Sequence, residues 1–352
     1  MNLFLLPLFV RRLILIGLPF LGAAILVSVC SSNSAWGANQ DECQVIQAGF
    51  DVGSGSTKMA VALVDRCTHQ IVRLLKEEQA GVNYYQDLRE NQQKFSPSIQ
   101  KTGLEVLAKF KAAAQALGAQ EFFAVGAQAF REALNAEEVA KKIESTGIKF
   151  KILTLDEEAM VGFQAAAAVS GINPKDLAVW DIGGGSMQIA FLAETDNKNA
   201  PLTLTTYSGN VAAKGFLHLV LKTFYPDNAK TPNPYGKKVA AVIKMAQGLA
   251  DVLLAPAFKE QLLKKQIVGI GSVHNIAVLK VLAPSEDYSL KQLQKSITAK
   301  QNYTDAQLGN DQFSPETLTN ALLVAGFMQA LKIDKLTPVK VHLGHGILGQ
   351  AF

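Results

Sequence analysis

Val179-Trp180-Asp181-Ile182-Gly183-Gly184-Gly185-Ser186 runs into Met187-Gln188-Ile189-Ala190-Phe191. An apolar strand ends in an acid, turns over three glycines and a serine, and returns as a second apolar strand. Consecutive glycines lose much conformational entropy on folding, so such a turn suits a backbone that must approach something closely. About 130 residues earlier the same plan occurs: Phe50-Asp51-Val52-Gly53-Ser54-Gly55-Ser56-Thr57-Lys58 leads into Met59-Ala60-Val61-Ala62-Leu63-Val64. In both turns, backbone N–H groups can converge on an anion. The Asp at each strand end can hold a cation beside that anion. Two copies of one device predict two similar domains facing each other across a phosphate-binding cleft.

The surrounding pattern is consistent with duplication. Strands are expected over 45–51, 58–65 and 70–75, a helix over 96–117, a strand over 121–126 and a helix over 129–145. A strand over 150–155 and an Ala-rich helix over 157–170 follow. The pattern restarts at Leu177 with two strands around the glycine loop and a third over 202–207. Helices are expected over 211–224 and 236–263, the latter broken near Leu254-Ala255-Pro256. Further helical stretches are 288–299, 304–308 and 315–331, with strands at 266–269 and 339–343. Strand-rich starts followed by helices, given twice, predict a duplicated α/β architecture. The domain boundaries read as 43–170 and 171–343, with 344–352 returning to the first domain.

The chain has 352 residues, 49% hydrophobic and 18% charged, enough for two ordinary domains. The formal charge is +4, and falls to +2 without Arg11 and Arg12. No basic stripe interleaved with aromatics occurs, which argues against a nucleic-acid partner. Residues 1–37 read as a secretory signal: Arg11-Arg12, an uncharged run from Leu13 to Val29, then small residues ending Ala35-Trp36-Gly37. An uncleaved membrane anchor, or lipid modification at Cys30, are the alternatives. All three place the main body outside the cytoplasm, in the periplasm. Cys43 and Cys67 flank the first strand–turn–strand unit. A hairpin centred near Gly55 has paired positions summing to about 110, which sets these two cysteines opposite each other, as a disulfide requires. Export favours that bridge.

A third glycine turn, Val268-Gly269-Ile270-Gly271-Ser272-Val273, follows another apolar strand, and Ser272 to Leu279 is expected to open a helix. Asp51-x-Gly53-Ser54-x-Ser56-x-Lys58, Asp181-Ile182-Gly183-Gly184-Gly185-Ser186 and Gly269-x-Gly271-Ser272 resemble the two phosphate motifs and the adenosine motif of the actin-like ATPase superfamily. Within it, the chain resembles the exopolyphosphatase / guanosine pentaphosphate phosphatase family. Phe130-Arg131-Glu132-Ala133-Leu134-Asn135 is similar to that family's Arg-x-Ala-x-Asn segment, whose Arg contacts phosphate. Thr154-Leu155-Asp156-Glu157-Glu158-Ala159 is similar to its strand-to-helix Glu-Glu-Ala segment, whose second Glu positions or deprotonates the attacking water.

The resemblance implies two ribonuclease-H-like (actin-like ATPase) domains around a central cleft. It implies catalytic roles for Glu158, Arg131 and Asp181, and phosphate binding by Asp51, Gly53, Ser54, Gly55, Ser56, Lys58, Gly183, Gly184, Gly185, Ser186, Gly271 and Ser272. Mg2+ or Mn2+ would be held by Asp51 and Asp181. The residues fit phosphoanhydride hydrolysis, which needs an oriented water and positive charge on the transferred group. Glu158 can be the base, and Arg131 and Lys58 can supply charge. Two departures stand out. Met187-Gln188 occupies the family's Thr-Glu, and Leu343-Gly344-His345-Gly346 occupies Leu-Arg-Glu-Gly.

The expectation is therefore an exported phosphohydrolase of the exopolyphosphatase type, acting on polyphosphate or a related phosphoanhydride. A polyphosphate-binding or sensor protein without turnover is the alternative suggested by Gln188. An ATP-dependent enzyme with a purine pocket behind Gly269-Ile270-Gly271 is a third. Membrane contact is expected only through an uncleaved leader or lipid anchor, and homodimerisation stays open. His218, His274 and His345 are too scattered in sequence to define a metal site.

Overall fold

Two mixed sheets share one strand order. β1 (Gln44–Val52), β2 (Ser56–Asp65) and β3 (Gln70–Gly81) form an antiparallel meander, and β1 is flanked on its other edge by parallel β4 (Glu121–Gly126) and β5 (Lys149–Ile152). The sheet order is thus β3-β2-β1-β4-β5. In the second half, β6 (Leu177–Ile182), β7 (Met187–Ala193) and β8 (Thr203–Gly209) repeat the meander, and β9 (Gln266–Ile270) and β11 (Lys335–Pro338) repeat the parallel pair. A short β10 (Tyr288–Ser289) caps the far edge. The repeated order is the duplicated α/β architecture expected from the two loops. This computed structural model describes residues 43–194, 202–282 and 287–350. The leader read at 1–37, with Arg11, Arg12 and Cys30, lies outside them.

In the first half, α1 (Tyr84–Glu90) and α2 (Pro97–Gln115) precede β4. Ser96 caps α2 by accepting from Ile99 N–H, and Pro97 opens it. The single helix expected over 129–145 is two, α3 (Gln128–Glu132) and α4 (Ala136–Glu144). The break is fixed by Asn135. Its side chain accepts from Phe95 N–H at 2.9 Å and donates to Phe95 O at 3.0 Å, tying the turn to the start of α2. Phe50, Phe95, Phe110, Phe130 and Phe150 fill the core here.

Helix α5 (Leu155–Ser170) has a complete capping box: Thr154 Oγ1 accepts from Glu157 N–H, and Glu157 Oε2 accepts from Thr154 N–H. Gly171, at φ 68°, ends it in the left-handed region. Chain order sets α5 before the boundary read at 170. Its buried face (Ala159, Phe163, Ala165, Ala166) nevertheless packs on Leu177, Val179, Val268 and Ile270 of the second sheet. That seat carries the first turn of α5 to the strand ends of both sheets.

The second half continues with α6 (Ala213–Phe224), α7 (Val239–Leu253), α8 (Pro256–Leu262), a π-helical turn Val273–Val278 leading into α9 (Leu279–Val281), α10 (Leu290–Lys300), α11 (Ser314–Ala330) and α12 (Leu343–Gly346). α11 is buried nearly throughout, between Trp180 and Phe216 on one side and α7 on the other. Residues 304–308 form turns rather than the helix expected, and 339–342 is coil, the last strand ending at Pro338. β3 extends six residues beyond the strand read to Leu75. No single helix among the described residues is long and apolar enough to cross a membrane.

Two further contacts secure the first sheet. Leu343 and Ile347 pack on Phe123, Val125 and Val161, so the last helix lies against the first sheet and α5. Cys43 and Cys67 are joined by a disulfide, Cα to Cα 5.6 Å. The hairpin register is Gln44 to Asp65, one residue tighter than expected, and Arg66 N–H donates to Cys43 O. The bridge therefore runs diagonally past the last paired position.

Candidate active site

The two glycine loops close with the same hydrogen bond. Gly53 N–H donates to Ser56 O at 3.0 Å, and Gly183 N–H donates to Ser186 O at 3.0 Å. β1 and β2 deliver the first loop and β6 and β7 the second, each placing an Asp on the strand before the turn. Asp51 is buried, at 6% exposure, with Lys58 Nζ 3.6 Å from its Oδ2.

Asp181 lies at the equivalent position. Its carboxyl is pushed up to about 7, first by removal from water and then by the negative charge of Glu158, with Asp51 adding to it and Lys58 opposing. These effects place four sequence-predicted residues, Asp51, Lys58, Glu158 and Asp181, within one electrostatic neighbourhood. With Arg131 paired to Glu158 and Lys58 near Asp51, three carboxylates face two cations.

Glu158 sits in the first turn of α5, where the helix dipole favours an anion. Its Oε1 accepts from Ser186 Oγ at 2.9 Å, and its Oε2 forms an ion pair with Arg131 Nη2 at 2.7 Å. Arg131, in α3, also donates from Nη1 to Leu153 O at 2.8 Å, which fixes the plane of the guanidinium. Glu158 is thus held from two elements and keeps further lone pairs for a water.

The third glycine turn backs this cluster. Gly271, at φ +83°, has no room for a Cβ, which would collide with Asp181 Oδ1 and Ile182 O. Gly269 is packed on His274 and Leu336. Protein therefore fills the inner side of the turn where a purine pocket was one expectation. Ser272 is exposed.

Gln128, Arg89 and Lys214 carry no signal in the sequence, and Gln188, read there as a departure, takes its surroundings from the fold. Gln128 lies directly over Gly185, where any Cβ would strike its amide. Gln188 pairs with Asp181 across β6 and β7, is 2% exposed, and its Nε2 has no hydrogen-bond partner. A cavity of about 690 Å3 opens from Ser54 and Gly55 and is lined by Arg89, Lys214 and His218 along with acidic Glu90 and Glu316. Lys214 N–H donates to Gly184 O, and its Nζ lies 4.5 Å from the centre of the Tyr85 ring. Its ammonium is held below the usual lysine value by burial.

His342 Nδ1 is 4.0 Å from Asp51 Oδ2, and His345 Nε2 is 3.2 Å from Glu77 Oε1. Burial lowers both imidazoles below their ordinary value, His342 well below it. His345 reads as isolated in the sequence. His342, three residues earlier, and Glu77, far away in the chain, complete its surroundings.

The chain is similar to known proteins in sequence and in fold. The sequence model of the Ppx/GppA phosphatase family matches residues 63–222. A guanosine-5'-triphosphate,3'-diphosphate pyrophosphatase of Photobacterium profundum is 28% identical over 148 residues, which is 41% of this chain. That match spans 28% of the relative's own length. Among solved structures, the Aquifex aeolicus Ppx/GppA family member superposes with a TM-score of 0.68 at 17% identity, covering 87% of this chain and 97% of that one. An exopolyphosphatase from Cytophaga hutchinsonii gives 0.62 at 15% identity, covering 87% and 96%. At these identities the structures establish the fold, and the resemblance read from the motifs is borne out.

Proposed function

We propose that this chain, which is similar to the Ppx/GppA phosphatases over residues 63–222, is a phosphohydrolase that releases terminal phosphate from polyphosphate or a related phosphoanhydride. One observation carries the reading: Glu158 is gripped by Ser186 of the second loop and by Arg131, beside Asp181 and facing the first loop. In-line attack on a phosphoryl group needs a water held by a base, and fixed donors for the oxygens of that group. Glu158 would orient and deprotonate the water. The N–H groups of both loops, Lys58 and the free edge of Arg131 would hold the phosphoryl oxygens.

Asp51 and Asp181 would hold a divalent cation, Mg2+ or Mn2+. The carboxyl of Asp181 is raised first by burial and then by the charges of Glu158 and Asp51; a cation would offset both, and Gly271 adds no side chain over its oxygen. Such an ion would supply positive charge beside the leaving phosphate. The cavity beyond Ser54 and Gly55, with Arg89 and Lys214 on its walls, has room for further phosphates of a chain.

Export supports polyphosphate over a nucleotide substrate. The leader-like residues 1–37 and the Cys43–Cys67 disulfide both favour an oxidising compartment such as the periplasm. A second reading, binding without turnover, is favoured by Gln188, whose amide replaces a charged group next to Asp181. Phosphate release from polyphosphate with Mg2+ separates the two, using wild type, Glu158→Ala and Gln188→Glu. Wild type that binds polyphosphate without releasing phosphate overturns the hydrolase. Release that survives Glu158→Ala overturns the role of Glu158. A faster Gln188→Glu would show that the amide limits turnover.

A further inference from the structure

We infer that Glu77, His342 and His345 form a binding site for one transition-metal cation of the Zn2+ type, distinct from the Asp51–Asp181 pair. Each residue offers one ligand atom, and the three atoms lie within 4.8 Å of one another. They come from elements distant in sequence. Glu77 is on β3, opposite Ala60 of β2, and the histidines flank the start of α12. The approach depends on small residues: Gly49 of β1 meets Gly344 where a Cβ would collide.

The side chains are held for ligation. The imidazole rings lie 4.3 Å apart, edge to face. His345 is 1% exposed; its Nδ1 meets His342 N–H and His342 O, so the Nε2 edge is left toward Glu77. The His342 side chain is 8% exposed, and its buried Nε2 has no hydrogen-bond partner. Buried ring nitrogens are ordinarily paired, so this one points to a missing partner. Glu77, 35% exposed, is the open flank through which an ion and its water ligands could enter.

The donor set selects the metal. Two imidazoles and a carboxylate, with open positions left for water, form a three-ligand zinc set. Mg2+ prefers oxygen ligands and keeps much of its water. Ligand bonds of about 2 Å require only a modest contraction of the cluster. Gly344 N–H donates to His342 Nδ1 at 3.1 Å, which orients the ring and leaves Nε2 as its free nitrogen.

Metal content after gel filtration tests this on untagged full chain, stripped with chelator, loaded with Zn2+ in excess Mg2+, and compared with Glu77→Gln, His345→Gln and Asp181→Asn. Wild type and Asp181→Asn should retain one equivalent of zinc. His345→Gln should retain none, and Glu77→Gln should bind at least tenfold more weakly in competition with a chromophoric chelator. Glu77→Gln is isosteric at a partly exposed strand position, so its result stands even where His345→Gln misfolds. Failure of wild type to retain zinc overturns the site. So does unchanged affinity in Glu77→Gln, or loss of zinc in Asp181→Asn.

Discussion

Ser186 Oγ donates to Glu158 Oε1 at 2.9 Å, which couples the second glycine loop to the first turn of α5. A shift of that loop therefore carries Glu158, the proposed base, with it. Ser186→Ala removes one hydrogen bond to a charged group, worth about 1.5–3 kcal/mol, so phosphate release should fall by roughly 10- to 100-fold. Glu158→Gln should cost more, about 10^2- to 10^4-fold, the usual range for a general base. Polyphosphate binding should survive both changes, because neither touches the N–H groups of the loops. Equal rates for Ser186→Ala and wild type would separate the serine from catalysis.

Asp181 gives a pH signature. Its folded value near 7 lies above the unfolded carboxylate value of 3.8. Between those limits the folded state holds a proton that the unfolded state has lost, so this group makes stability fall as pH rises from about 4 to 7. The full penalty is present above 7. Asp181→Asn removes it and should raise the stability of metal-free protein at pH 8 by on the order of 2–4 kcal/mol, with little gain near pH 4. Mg2+ should stabilise wild type and leave the variant almost unchanged, while activity is lost. Thermal melts at both pH values, in chelator and in Mg2+, measure this. An Asn variant no more stable than wild type in chelator at pH 8 contradicts the charge-crowding account.

The parts of this site that are legible in sequence are those whose geometry is local. A strand, an Asp and a Gly/Ser turn lie within one hairpin, so Asp51 to Lys58 and Asp181 to Ser186 can be read directly, including their shared role. Glu158 and Arg131 are legible only through segments resembling a family, since nothing in Arg131 itself announces a partner 27 residues on. What escapes depends on long-range packing. Gln128 reaches Gly185, and Glu77 meets His345, because elements distant in the chain converge at each place. Helical periodicity runs unbroken from 129 to 145. The break at Asn135 is dictated by Phe95, forty residues earlier.

Gly271 and Gly55 should respond differently to alanine. At Gly271 the φ of +83° is strained for an L side chain, and a Cβ would press on Asp181 Oδ1 and the backbone of Ile182. Gly271→Ala should destabilise the protein by more than about 2 kcal/mol and displace the carboxylate of Asp181, the proposed cation ligand. At Gly55 the nearest atom to a Cβ is Asn83 Oδ1 at 3.9 Å, and φ is not positive. Gly55→Ala should fold normally, within about 0.5 kcal/mol, and lose affinity only if that Cβ meets a bound phosphate. Denaturant titration distinguishes the two. Comparable losses would mean that the third turn has no special close approach.

The Cys43–Cys67 bridge should matter for stability and not for turnover. It lies at the open end of the first hairpin, while Asp51 and the Gly53–Ser56 turn lie at the other, separated by most of a nine-residue strand. At roughly 3.3 Å per residue that is more than 20 Å. The bridge closes a loop with a sequence separation of 24, for which chain entropy gives an upper limit of about 3.5 kcal/mol. Cys43→Ser with Cys67→Ser should therefore lower the melting temperature by several degrees and leave kcat within about twofold. Thiol counts on denatured protein should rise by two on reduction of wild type and not at all for the double variant. A large fall in kcat without a fall in melting temperature would instead mean that strain in this hairpin is transmitted along β1 to Asp51.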